Sequence, residues 1–233
     1  MAHSRTRPLV TLVGAMTLDG KIATRTRDSP ISSLKDLKVL HRLRSINDAV
    51  MIGVGTLIHD DPCLTVRLIR GPSPIRVIVD GSARTPVHSR IFGEGPQVIV
   101  AVTKQASKEG VGRLKRAGAQ VIRVGSTHVD LKSLLFHLHS LGIKRVLLEG
   151  GGTLNWSMIS EGLVDRIAVT VAPIIIGGRQ ATTLVDGEGV DKVAHAISLT
   201  LTMARRRSDE VILTYNVRRS KNCRNWEKTC AQA

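Results

Sequence analysis

Short β-branched apolar runs recur along the chain at 9–13, 49–52, 75–79, 98–102, 120–124, 145–148, 167–172 and 210–217, with helical patterns between several of them. Strands that alternate with helices are joined by crossovers, and crossovers build a mostly parallel sheet covered on both faces. Leu34, Leu37, Leu40, His41 and Arg44 mark one helix, with Ser33 as its N-cap. Val111, Leu114, Lys115 and Ala117 mark a second, which ends at Gly118. Asp130 caps a third, whose inner face is Leu131, Leu134, Leu135 and Leu138 and whose end is Gly142. The rhythm breaks near the C-terminus. There 197–204 and 210–217 read as two strands joined by the polar segment 205–209, an antiparallel hairpin at a sheet edge.

The expected organisation is an N-terminal extension over 1–7, a single α/β domain over 8–217 and a basic, mobile tail over 218–233. No apolar run approaches the roughly 18 residues a spanning helix needs. Residues 8–15 are interrupted by Thr11 and Gly14, so they read as a first strand and not as a signal peptide. Cys63, Cys223 and Cys230 have no metal-ligand spacing, and their odd number suits a cytoplasmic protein with reduced thiols. His41, His59 and His88 lack paired-ligand spacing as well, so no metal site is expected. The formal charge is +15, and the body stays basic when both ends are set aside. Such a surface suits phosphorylated small molecules or nucleic acid. Nucleic-acid platforms interleave aromatic side chains with their cations. Here aromatics are 2% of the chain and scattered, which favours small anionic ligands over nucleic acid.

Chemistry concentrates where strands end. In Leu147-Leu148-Glu149-Gly150-Gly151-Gly152-Thr153 an apolar strand stops at a carboxylate and three glycines before a helical pattern at 154–159. Glycines at such a junction let backbone N–H groups approach a ligand, and a helix N-terminus favours anions, so this is a candidate phosphate cradle. The segment 16–23 follows the first strand and carries Asp19-Gly20 before Lys21. A third, 53–67, holds Gly53, Gly55, Thr56, Asp60, Asp61, Pro62 and Arg67. A fourth, 79–84, carries Asp80, Gly81, Ser82, Ala83 and Arg84. Each of the last three can equally be an ordinary turn. Parallel strands would bring all four to one edge of the sheet, where open α/β sheets bind ligands.

In this order the motifs resemble a known family. Met16-Thr17-Leu18-Asp19-Gly20-Lys21-Ile22-Ala23, then Gly53-x-Gly55-Thr56 with Asp60-Asp61-Pro62-x-Leu64-Thr65-x-Arg67, then Val79-Asp80-Gly81 and Leu148-Glu149-Gly150-Gly151-Gly152-Thr153 look like the reductase of riboflavin biosynthesis. Ala172-Pro173 through Gly177-Gly178 and Asp186-Gly187-Glu188-Gly189 fit the same family. The resemblance implies a dihydrofolate-reductase-like three-layer fold, a homodimer, and NADPH as the reductant, with NADH possible. It also implies hydride transfer to C1′ of a ring-opened ribosylamine, which turns a ribosyl group into a ribityl chain. Many bacterial relatives fuse this domain to a zinc deaminase with H-x-E and P-C-x-x-C motifs, and neither occurs in this sequence. The expected form is therefore the free-standing archaeal or fungal type, with 2,5-diamino-6-(ribosylamino)pyrimidin-4(3H)-one 5′-phosphate as substrate. A dihydrofolate reductase and a basic nucleic-acid-binding protein are the alternatives.

Carried over residue by residue, the resemblance points to Lys21, Asp60 and Glu149 as the groups nearest the reacting carbon. It implies cofactor contacts from Ala15, Thr56, Asp60, Asp80, Gly81, Ser82, Ala83, Ser126, Leu148, Glu149, Gly150 and Gly151, with Gly152 and Thr153 adjoining. For the substrate it suggests Lys21, Ser29, Arg44, Leu64, Arg67 and Glu149. Arg84 is a candidate partner for a 2′-phosphate, whereas Asp80 beside the ribose would favour NADH.

Overall fold

The computed structural model describes residues 6–218, which form five α-helices and a single sheet of nine strands. In chain order these are β1 (Leu9–Thr17), α1 (Leu34–Ile46), β2 (Ala49–Gly53), α2 (Val54–Asp60), β3 (Ile75–Val79), β4 (Val98–Val102), α3 (Lys108–Arg116), β5 (Gln120–Arg123), α4 (Leu131–Ser140), β6 (Arg145–Gly150), α5 (Gly152–Ser160), β7 (Arg166–Ala172), β8 (Leu199–Arg207) and β9 (Glu210–Val217). The sheet order is β5-β4-β3-β2-β6-β1-β7-β9-β8. From β5 to β7 every pairing is parallel, and β7, β9 and β8 pair antiparallel. The expected parallel sheet with a C-terminal hairpin is therefore present.

Side chains alternate across the pleat and supply two cores. Val10, Leu12, Ala49, Met51, Val77, Ile99 and Leu148 pack on one face beneath α4 and α5. Val50, Ile52, Ile78, Val98, Val100 and Val102 pack on the other, beneath α2 and α3. The caps at Ser33 and Asp130 act as the sequence suggests, accepting from the N–H groups of Asp36 and Ser133.

Three expectations change. The segment after β2 is a short helix, α2, because Val54 and Leu57 reach the core three residues apart. In the hairpin β9 has the expected bounds, whereas β8 starts at Leu199 and ends at Arg207, so the connection shrinks to Ser208-Asp209. On α1 the buried residues are Asp36, His41 and Arg44, whereas Leu34 is 61% exposed and Leu37 is 36% exposed. The polar face of α1 is buried because its partners are polar. Asp36 accepts from Thr170 Oγ1 and from Arg207 Nη2, each at 2.7 Å, and Arg207 also binds Glu210 at 2.7 Å. This network fastens α1 to β7 and the hairpin. At the other end of the domain Arg7 forms a two-pronged pair with Asp165. Arg218 donates to Thr200, and the remainder of the expected tail lies outside the described residues.

Candidate active site

All seven parallel strands open their C-terminal ends on one edge, so the four motifs meet there. Glu149 lies at the centre of that edge. β2 pairs Met51 with Leu148 and Ile52 with Gly150, which leaves Glu149 as the extra residue of a bulge. Bulges re-aim side chains, and this one presents the Glu149 carboxylate to α1. Arg44, in the last turn of α1, grips it with Nε and Nη2 at 2.7 Å each. Its Nη1 donates to the Thr65 carbonyl at 3.1 Å. Burial alone would lower the Arg44 pKa, but the paired carboxylate raises it and keeps the guanidinium charged. Arg44 is thus no solvated helix charge. It joins α1, β6 and the 61–67 loop.

One turn earlier on α1, the His41 ring accepts the Arg67 N–H at Nδ1 at 2.8 Å and the Leu68 N–H at 3.3 Å. Leu64 is buried in the core with φ +53, so its main chain lines the loop. The Arg67 side chain is exposed, as is Ser29 in the segment that leads into α1.

The three glycines are held to different neighbours. Gly150 has φ +92, and a Cβ there would lie 2.8 Å from Asn155 Nδ2. Gly151 donates its N–H to Thr56 Oγ1 at 3.0 Å, and its Cβ would meet the same hydroxyl at 2.9 Å. Gly152, the first residue of α5, abuts the Asp186 carboxylate. The Gly151 N–H of the expected cradle is therefore already taken by Thr56, and its Gly152 side is covered by Asp186 of the 183–187 loop.

Lys21 and Asp60 flank this turn. Lys21 bridges to Thr183, and its Nζ donates to the Ala181 carbonyl at 3.4 Å. Thr183 in turn binds Asp186, which abuts Gly152. On the other side Asp60 lies four residues after Thr56, on the same face of α2. Surrounding protein raises the Asp60 carboxyl pKa, while His59 and Arg27 pull it down. Asp19 accepts from Thr17 Oγ1, Ile176 N and Gly177 N, and its pKa falls to about 2, chiefly through the Thr17 bond.

Further along the edge, after β3, Asp80 is fully buried. Its Oδ2 accepts from both the N–H and the hydroxyl of Thr85 at 2.7 Å. Ala83 has φ +58 in the same turn, while Ser82 and Arg84 are exposed. Ala83, Arg84, Ser107, Glu109, Gly110 and Arg113 line an open cavity of about 400 Å³. Arg113 is oriented by donating to the Ala83 carbonyl at 2.8 Å. Ser126 is exposed in the loop after β5, and Ala15 is half-buried near the end of β1. The sequence reading missed Arg27, His41, Ser107, Arg113 and Asp186 as site residues. Only Asp186 carried a local signal, its place before Gly187; the others are single residues in plain segments.

A parallel sheet with an antiparallel hairpin, a glycine turn at its central strand end and polar loops gathered on that edge define an oxidoreductase domain of the dihydrofolate-reductase-like class. The RibD C-terminal domain model matches residues 8–213, and the chain belongs to that family. It is 47% identical over 215 residues to the 2,5-diamino-6-ribosylamino-4(3H)-pyrimidinone 5′-phosphate reductase of Methanothermobacter thermautotrophicus, covering 91% of this chain and 99% of that protein. The protein of the same name from Archaeoglobus fulgidus is 42% identical over 193 residues, 78% of this chain and 88% of its own length. Among solved structures, Acinetobacter baumannii RibD superposes with a TM-score of 0.81 at 27% identity over 93% of this chain, which spans 60% of that longer protein. The riboflavin biosynthesis reductase Rib7 of Saccharomyces cerevisiae superposes with a TM-score of 0.73 at 20% identity, covering 94% of this chain and 93% of that one, and so shares its fold.

Proposed function

We propose that the chain uses NADPH to reduce the ribosyl group of 2,5-diamino-6-ribosylamino-4(3H)-pyrimidinone 5′-phosphate to the ribityl form. The observation that carries this reading is the bulged Glu149, clamped by Arg44 beside the Gly150-Gly151 turn, with Lys21 on one flank and Asp60 on the other. Six strands from β5 to β1 separate Ser126 from Lys21, a span of about 24 Å at the usual strand spacing. That edge accommodates a dinucleotide and a sugar phosphate end to end.

The residues fit the cofactor. Thr56 accepts from Gly151, which leaves its O–H free to donate to a pyrophosphate oxygen. Arg84, Arg113 and Ser107 supply two cations and a hydroxyl at the adenosine end, suited to a 2′-phosphate. Asp80 is buried and its Oδ2 is taken by Thr85, so it does not present that oxygen to a ribose hydroxyl. When bound, the nicotinamide supplies hydride to C1′. Glu149, its charge balanced by Arg44, is fixed at the sugar end of the site, where its remaining lone pairs accept from the sugar hydroxyls. Lys21 Nζ donates to the opening sugar oxygen. Asp60 offers a carboxyl whose proton affinity is raised, and Arg67 and Ser29 hold the 5′-phosphate.

We also infer a homodimer. The edge strand β8 is exposed along nearly its whole length, including Leu201 at 52% and Met203 at 43%, and Ile175 is 71% exposed on the loop after β7. An uncovered apolar edge of this kind calls for a partner. Light scattering should return twice the chain mass. Among the described residues no helix is long and apolar enough to cross a membrane; a cytoplasmic site of action completes the reading. The test of function is direct. Purified, folded protein given NADPH and the ribosylamine phosphate should oxidise the nucleotide and yield a product heavier by two hydrogens. No turnover with either nicotinamide would end the proposal.

A further inference from the structure

We infer that His41 is a positioning residue that sets the place of Arg67 for the substrate phosphate, and that protonating its ring releases that loop. The inference rests on the substrate reading above, and in particular on Arg67. His41 is 3% exposed, and its Nδ1 accepts from two successive backbone N–H groups, those of Arg67 and Leu68. An atom that accepts twice carries no proton, so the ring is the neutral Nε2–H tautomer. The Arg67 side chain is exposed, and no side-chain bond to it is seen among the described residues. The backbone at Arg67 is therefore what His41 fixes.

The charged groups acting on the ring are Arg44 on its own helix, Arg67 in the tethered loop and Glu149 on β6. Burial first, then the two guanidiniums, lowers the His41 pKa, with Glu149 acting weakly against them. The neutral ring thus prevails at physiological pH. When pH falls through the lowered value, Nδ1 becomes a donor facing two donors, and the tether is lost. Phosphate binding should weaken on the acid side, beyond the change that comes from the titration of the substrate phosphate itself.

Amide shifts of Arg67 and Leu68, followed with the His41 ring signals from about pH 8 to about pH 5 in the full chain without ligand, test the tether directly. The ring and both amides should titrate together, and in His41→Asn, whose side-chain oxygen accepts without titrating, the amides should stay flat. His41→Ala should raise the KM for the ribosylamine phosphate about tenfold, with kcat and the NADPH KM unchanged, and His41→Asn should restore it. The KM of His41→Asn should lack the additional acid-side rise seen in wild type. Amides that stay still while the ring charges would overturn the inference, as would a KM in folded His41→Ala within twofold of wild type. If His41→Ala does not fold, the titrations of wild type and His41→Asn still decide. Arg67→Ala separates the two readings: an unchanged KM there removes Arg67 from the substrate site, whereas the amide titration reports the tether regardless.

Discussion

Replacing Arg44 by Met should unfold this domain more readily than almost any other single change. The side chains of Arg44 and Glu149 are 7% and 11% exposed, so the pair is largely out of water. Arg44→Met removes both bonds to Glu149 and the bond to the Thr65 carbonyl, and strands a carboxylate in the bulge. Breaking a buried pair from one side costs about 3–5 kcal/mol. For a domain of this size each kcal/mol moves Tm by about 2–4 °C, so a fall of about 10 °C is expected. Urea unfolding followed by far-ultraviolet circular dichroism measures the free energy. A second variant identifies the cause. Arg44→Met combined with Glu149→Leu should recover most of the loss, because removing both charges removes the stranded one. A deficit below about 1 kcal/mol, or a double variant as unstable as the sum of its parts, would refute the view of Arg44 as a clamp.

Two glycines near the site should respond oppositely to a methyl group. Gly152→Ala drives a Cβ into the Asp186 carboxylate and should cost about 1–3 kcal/mol, whereas Gly55→Ala, at an exposed position of α2, meets nothing within 4 Å and should stabilise by about 0.5–1 kcal/mol; urea midpoints compare them. Asp19 is held at about 2 from an ordinary 3.8, so its contribution is present above 3.8 and fades as pH falls toward 2. Protection factors of the Ile176 and Gly177 amides, corrected for the intrinsic pH dependence of exchange, should fall over that window in wild type and be low throughout in Asp19→Asn. Arg84→Ala should weaken NADPH about tenfold and leave NADH unaffected, read as dissociation constants by calorimetry. Equal effects on the two nucleotides would place the 2′-phosphate elsewhere.

The motifs that local chemistry shapes are legible in the sequence itself. The Asp19-Gly20 turn and the caps at Ser33 and Asp130 depend on neighbours a few residues away, and the structure repeats them. What the sequence misjudged depended on distant partners. Leu34 and Leu37 share a helical stripe with His41 and Arg44, yet it is Asp36, His41 and Arg44 that go inside. Their partners, Thr170, Arg207, Glu149 and the Arg67 backbone, lie 26 to 171 positions away.

The order of strands and helices follows from the chain alone, because apolar periodicity is a local property that fixes each element and so the parallel sheet. The roles of Arg44, Glu149 and Asp80 do not. A carboxylate is a ligand, a clamp or a turn bond according to what faces it. That is set by which strands become neighbours and where a bulge falls, and both are decided only when the whole sheet assembles.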